Sequence, residues 1–182
     1  MELNSQVKGE AINLYALYYA PQVSKKNDTT LVSFTLRNEA GAYFMQEYSI
    51  PPAGFEIAYR IKNAGLAEQL STEQLTLQWT NILRPLEKDL ADSRNNTTIN
   101  SYTLAGDFDY ISERSMDTET ETFADPLKWI SIKQKFFLAS IIAKESFSGG
   151  ELQTSVNQSD TSVVKRANVK LFIPLKAITE NK

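Results

Sequence analysis

The chain has 182 residues, room for one domain of ordinary size with its own core. Apolar residues make up 42% and charged residues 23%, which excludes a disordered or low-complexity chain, and a net charge of −3 argues against a nucleic-acid surface. There is no cysteine and no histidine, so thiol nucleophiles, imidazole bases, serine–histidine triads and Cys/His zinc sites are all excluded.

Residues 12–19 (Ile-Asn-Leu-Tyr-Ala-Leu-Tyr-Tyr) are apolar or aromatic almost throughout and read as a strand buried on both faces. Val32, Phe34 and Leu36 alternate with Ser33, Thr35 and Arg37. Asn38-Glu39-Ala40-Gly41 reads as a turn and Ala42–Ile50 as the returning strand, so 31–50 is predicted to be a hairpin. Pro51-Pro52-Ala53-Gly54 separates it from the next alternation, Phe55, Ile57, Tyr59 and Ile61, which Asn63-Ala64-Gly65 closes. Leu75, Leu77 and Trp79 alternate with Gln74, Thr76 and Gln78, another half-buried strand. Residues 84–92 are the best helical candidate, with Pro85 near the first turn and Leu86 and Leu90 four apart; Ser93 to Thr98 is polar, Asn-rich and reads as a loop.

Residues 136–142 (Phe-Phe-Leu-Ala-Ser-Ile-Ile) again read as a strand buried on both faces, followed by a turn at Ser148-Gly149-Gly150. Val169, Leu171, Ile173 and Leu175 form a last strand, which Pro174 either ends or confines to an edge. The longest nearly apolar run, Phe136 to Ala143, is far short of the ~20 residues of a membrane span, and Met1-Glu2-Leu3-Asn4 does not open a signal peptide, so the segment itself reads as soluble. About ten strands, one short helix, no repeat and no strong internal boundary point to a single mostly antiparallel β-sandwich or barrel over 1–182.

Few residues are candidates for chemistry. The acidic stretch 117–125, with Asp117, Glu119, Glu121 and Asp125, has the oxygen ligands a hard cation wants; it has no glycine for a tight calcium loop, and its interleaved threonines read as a solvated loop. Titrating calcium against thermal stability separates the two readings. A glycosidase carboxylate pair is disfavoured, because most of the acids alternate with apolar residues on strand exteriors. Trp79, Tyr102, Tyr110 and Trp129 are the aromatics suited to a sugar or peptide platform when exposed. Trp79 shares the parity of Leu75 and Leu77 and is assigned to the core. Trp129 shares that of Ser131 and Lys133, and both core and surface roles stay open for it. Asn27-Asp28-Thr29 and Asn95-Asn96-Thr97-Thr98 match a glycosylation acceptor and mark surface loops. No catalytic, cofactor-binding or metal-ligating residue is assigned, and the residues alone give a non-enzymatic all-β domain.

The stretch from Asp125 to Ile142 carries Trp129-x-x-x-Lys133-Gln134-x-Phe136-Phe137. It resembles the large periplasmic domain of the YidC membrane protein insertase family, in the version found in Bacteroidetes-type bacteria. Phe44–Ile50, Phe55–Ile61 with Tyr59, and Leu75-Thr76-Leu77-Gln78-Trp79 match its strands in order, as do Tyr102 and Phe108, so the similarity covers about residues 30–145. The resemblance implies a β-supersandwich akin to galactose-mutarotase-like sandwiches. It also implies a place on the periplasmic face of the bacterial inner membrane, within a membrane-embedded parent whose transmembrane part is not in this sequence. Its implied work is accessory: an interaction or chaperone-like surface, without cofactor, for nascent membrane proteins and for Sec translocon components (SecDF, SecYEG), with no contact residues assignable. The chain is expected to be shorter than the whole family domain and to expose a sheet edge that invites pairing. The alternative is a carbohydrate-binding β-sandwich module; a cell-surface adhesin-like domain has no residue support.

Overall fold

The computed structural model describes residues 1–7, 10–65, 74–174 and 178. It divides into two compact units, an N-terminal one (Asn4–Leu75 with Pro174–Lys182) and a C-terminal one (Met1–Leu3 with Thr76–Ile173). The fold is all-β: strands paired mostly antiparallel, with one short α-helix among the described residues, consistent with a β-sandwich.

In the N-terminal unit β1 (Glu2–Val7) pairs with β2 (Glu10–Asn13), placing Ser5 opposite Ile12. The predicted strand over 12–19 ends at Asn13. The Asn13 side chain accepts a hydrogen bond from the Tyr15 N–H at 3.0 Å and caps a 3-10 turn, Leu14–Ala16, which turns only Leu14 fully inward and leaves Tyr18 96% exposed. A run of apolar residues there fills a turn rather than a doubly covered strand.

A four-stranded meander follows: β3 (Ala20–Lys26), β4 (Thr29–Arg37), β5 (Tyr43–Ile50) and β6 (Ala58–Ala64). Asn27 and Asp28, both at positive φ, make the two-residue β3–β4 connection, whose hand matches the strand twist. The predicted 31–50 hairpin is present. Its turn is closed by hydrogen bonds between Asn38 and Ala42 and between the Gly41 N–H and the Asn38 carbonyl. β6 begins only at Ala58, so Phe55 and Ile57, read as strand residues, lie outside it and are exposed.

The C-terminal unit takes up the chain at Thr76, within β7 (Gln74–Leu83), which buries Leu75, Leu77 and Leu83 and leaves Trp79 half-buried. The short helix α1 is Leu90–Asn95, later than the 84–92 segment predicted, because the capping carboxylate is Asp89: it accepts from the Asp92 N–H at 2.9 Å, and nothing comparable precedes Pro85. The polar stretch 93–98 is not a surface loop. Arg94 is buried and its guanidinium donates to the carbonyls of Val164, Asn157, Asp160 and Val163 at 2.9–3.2 Å, clamping the loop that precedes the last strand.

Next come β8 (Thr98–Thr103), β9 (Phe108–Tyr110), β10 (Glu119–Phe123), β11 (Leu127–Lys133), β12 (Leu138–Phe147), β13 (Gly149–Ser155) and β14 (Lys165–Pro174). They form one sheet in the order β12-β11-β8-β9 and, with β7, a second run β10-β13-β14-β7. Ile99, Leu127, Ile130 and Ile132 of the first and Leu152, Val169 and Leu171 of the second are buried and make the core. β14 lies between β13 and β7, so Pro174 ends an interior strand instead of lying on an edge; Leu175 falls outside the described residues.

The predicted turn at Ser148-Gly149-Gly150 is a crossing from one sheet to the other. Only Ser148 separates β12 from β13, and both glycines lie inside β13. A Cβ on Gly149 would sit 2.5 Å from the Phe123 carbonyl oxygen, and one on Gly150 2.7 Å from that of Lys170. Glycine is required here by close backbone approach rather than by turn conformation.

Candidate functional site

The outward face of the β12-β11-β8-β9 sheet carries an unusual row. Trp129 on β11 pairs with Tyr102 on β8 and with Ile142 on β12, and Tyr102 pairs with Phe108 on β9. Ile142, Trp129, Tyr102 and Phe108 therefore cross all four strands in register on one face. Trp129 and Tyr102 stack with ring centroids 5.5 Å apart and planes within 3°, and Phe108 lies 6.2 Å from Trp129 and 6.3 Å from Tyr110. Trp129 and Tyr102 are half-buried, while Phe108 and Tyr110 are exposed.

A β-bulge puts the row there. Between Leu127 and Trp129 the pairing on β8 advances by one residue while β11 advances by two. Leu127 thus points into the core with Ile130 and Ile132, and Trp129 points out. The bulge residue Lys128 donates to the main-chain carbonyls of Lys144 and Glu145 at 2.8 and 3.2 Å.

β11 and β12 join in a tight hairpin in which Gln134 and Phe137 exchange both main-chain hydrogen bonds, 2.8 and 3.2 Å. The strand read as buried on both faces is instead at the sheet edge. Phe136, Phe137, Leu138 and Ile142 are 68%, 60%, 63% and 67% exposed. The run is apolar, but among the described residues the sheet order gives it no neighbour on one side. Lys135 in the turn reaches back to Asp92 at 2.7 Å and Glu87 at 3.0 Å; its bonds to these carboxylates raise its pKa to about 12, so it stays cationic. Beneath the tip lies a shallow recess lined by Arg84, Leu86, Phe136, Phe137 and Val164.

The acidic stretch is dispersed by its own strand. Glu119 and Glu121 alternate with threonines on β10, Glu119 accepts from the Ser115 hydroxyl at 2.6 Å, and Asp117 and Asp125 lie on exposed segments to either side. Among the described residues no three acidic side chains come together as a metal site. Burial first, then the charge of Asp109 and a hydrogen bond to it, raise the Glu121 carboxyl above its usual range.

In the second acceptor motif Asn95 is exposed, but Thr97 and Thr98 are buried, Thr97 bonded to the Ser93 carbonyl at 2.7 Å; only Asn27-Asp28 is a surface turn.

Sequence reasoning missed a tyrosine cluster in the N-terminal unit. Tyr48 and Tyr59 are register partners 4.8 Å apart, Tyr59 donates to Gln46 Oε1 at 2.8 Å, and Tyr15 lies 3.4 Å from the Tyr59 hydroxyl. Burial pushes Tyr48 up to about 12 and raises Tyr59 and Tyr19 as well, so these phenols stay protonated near neutrality and act as hydrogen-bond donors, not bases. The signal was weak, since Tyr15 lies far in sequence from its partners.

Among the described residues no helix is long and apolar enough to cross a membrane. The family model of the YidC periplasmic domain matches residues 4–179. Curated relatives named membrane protein insertase YidC include that of Cytophaga hutchinsonii, 30% identical over 94% of this chain and 29% of its own length. Those of Parabacteroides distasonis (30% identical, 90% and 25%) and Amoebophilus asiaticus (28% identical, 71% and 22%) are similar. The chain thus spans less than a third of these relatives. It belongs to the YidC periplasmic-domain family, which lies on the periplasmic side of the inner membrane.

Proposed function

We propose that this YidC periplasmic domain works as a non-enzymatic accessory surface of a membrane protein insertase, with residues 1–182 acting as one domain. It holds segments of nascent membrane proteins, and by family resemblance it meets Sec translocon components (SecDF, SecYEG). The observation that supports this is the open apolar face and edge built by Ile142, Trp129, Tyr102, Phe108 and the Phe136–Leu138 tip. Isolated exposed apolar residues are ordinary; a contiguous row is the mark of an interaction surface. The chain brings no imidazole or thiol, and the tyrosines described above hold their protons.

The test is site-specific photo-crosslinking in the parent insertase during synthesis of a membrane protein. A probe at Phe108 is expected to capture the nascent chain, and one at Asp28, in the polar β3–β4 turn of the N-terminal unit, is not. Equal capture from both positions, or none, would sink the proposal. The Tyr102–Trp129 stack also fits the flat face of a sugar. Glycan binding that Trp129→Ala abolishes, with no nascent-chain crosslink, favours that second reading.

A further inference from the structure

The sheet edge at β12 has a pattern that the aromatic row alone does not reveal. Gln134 and Phe137 exchange both main-chain hydrogen bonds, so they are a hydrogen-bonded pair of the β11–β12 ladder. Antiparallel pairs alternate in type. Counting along the unbroken register, Ile132↔Ala139 and Ile130↔Ile141 are hydrogen-bonded pairs, while Lys133↔Leu138, Ser131↔Ser140 and Trp129↔Ile142 are not. The N–H and C=O groups of Leu138, Ser140 and Ile142 therefore point away from β11, into the space beside the sheet. The side chains of the same three residues share the face of Trp129. Outward backbone and apolar face thus coincide on Leu138, Ser140 and Ile142, all three exposed.

Of the charged side chains around this edge that have no ion-pair partner among the described residues, two are lysines and one is a glutamate. Lys133 is held by Glu113 at 2.6 Å and Lys135 by Asp92 and Glu87. Among the described residues Lys128 and Lys144 have no carboxylate within ion-pair distance, and Glu145 is the one acid on the strand. Edges kept from pairing are usually blunted by a proline, a short strand or inward charges. β12 holds no proline, pairs in unbroken register over Leu138 to Ile142, and keeps its charges, Lys144 and Glu145, beyond that stretch.

We propose that β12 receives an extended, apolar polypeptide segment poor in lysine and arginine, which adds as a fifth strand beside Leu138, Ser140 and Ile142, lays alternate side chains on the face those three share, and extends the Ile142–Trp129–Tyr102–Phe108 row by one residue. This rests on the accessory-surface reading and names its ligand class and mode. Strand addition draws affinity from main-chain hydrogen bonds and selectivity from alternate side chains. The lysines set the charge preference. Segments of membrane proteins that end on the side away from the cytoplasm are those depleted in Lys and Arg, the chemistry that two unpaired lysines beside one glutamate tolerate best.

The test uses the 182-residue chain carrying Trp79→Phe, so that Trp129 is its sole tryptophan. The probe is a synthetic peptide of alternating valine and threonine with glutamate at both ends. Trp129 fluorescence reads binding, and amide hydrogen exchange reads the mode. Bound peptide is expected to slow exchange at Leu138, Ser140 and Ile142 by roughly tenfold or more, the order expected of a newly formed main-chain bond, and to leave Ala139 and Ile141 unchanged, since those already bond to β11. Ser140→Pro removes one outward donor without touching the ladder and is expected to weaken binding roughly tenfold. The exchange readout needs no variant, so misfolding of Ser140→Pro does not blunt the test. Peptide binding with no added protection at the three amides overturns strand addition and leaves the accessory-surface reading standing. Protection that appears with rising protein concentration and no peptide overturns it in favour of a second copy. Absence of any peptide binding overturns both. A lysine-flanked peptide binding as tightly as the glutamate-flanked one overturns the charge preference.

Discussion

Strands β4 and β11 carry much the same alternation and meet different fates. In β11, Ile130 and Ile132 are fully buried, because Leu152, Val169 and Leu171 of the second sheet run oppose them and Leu127 lies against Gly150. In β4, Val32, Phe34 and Leu36 are only half-buried, and so are Ser33 and Thr35 between them, while β3 beside it is exposed along its whole length. Alternation identifies which side chains share a face. Only an opposing layer turns that face into a core. The C-terminal unit has such a layer within itself; the N-terminal meander relies more on its turns and on the tyrosine cluster around Gln46.

The difference is sharpest in a pair of truncations. Leu152→Ala, in the C-terminal core, is expected to cost about 2–5 kcal/mol, and Val23→Ala, on the exposed β3, less than about 0.5 kcal/mol. Urea unfolding followed by circular dichroism measures both, and similar losses would erase the contrast. Arg94→Met comes next. It leaves the carbonyls of Asn157, Asp160, Val163 and Val164 without their shared donor and is expected to cost about 3 kcal/mol. Tryptophan fluorescence reads this loss, since both tryptophans belong to the C-terminal unit. A change below about 1 kcal/mol would mean that the clamp is ornamental.

The N-terminal unit has its own weak point, in pH. Tyr48 and Tyr59 ionise later in the folded chain than the ordinary value of 10.0, Tyr48 near 12. The folded state then holds more protons above pH 10 than the unfolded one. Stability is complete below about pH 10 and declines as pH rises from 10 toward 12. Urea midpoints taken on either side of pH 10, with Tyr48→Phe as control, are expected to show a fall that the variant reduces. A flat profile would show that these phenols are not held in a dry cluster. A small, salt-dependent effect is expected at Glu47, which meets Lys62 at 3.2 Å and Arg60 at 4.0 Å on the same meander. Glu47→Gln should cost no more than about 1 kcal/mol, and high salt should remove the difference. A larger, salt-independent loss would argue that this sheet depends on its charges.

Much of the architecture was legible from residue order. Period-two alternation identified β4, β7 and β14, the Asn38–Gly41 turn placed the hairpin and its returning strand β5, and the Trp129-x-x-x-Lys133-Gln134 pattern pointed to the family. These are local signals, set by neighbours a few residues apart. The site was half legible: Trp129 and Tyr102 were named as candidate aromatics, but not their stacking or the in-register row. That row depends on a bulge at Lys128, and a one-residue irregularity moves a side chain to the opposite face without changing composition.

The residues alone determined an all-β chain without imidazole or thiol chemistry and with its main turns in place. Tertiary structure alone decided which apolar run is core and which is edge. Residues 136–142 and Ile130 with Ile132 are equally apolar, yet the first line an open edge and the second are sealed. Tertiary structure also made Gly149 and Gly150 a crossing and Arg94 a clamp. In each case the deciding partner lies tens of residues away, and burial is a property of what covers a side chain rather than of the side chain itself.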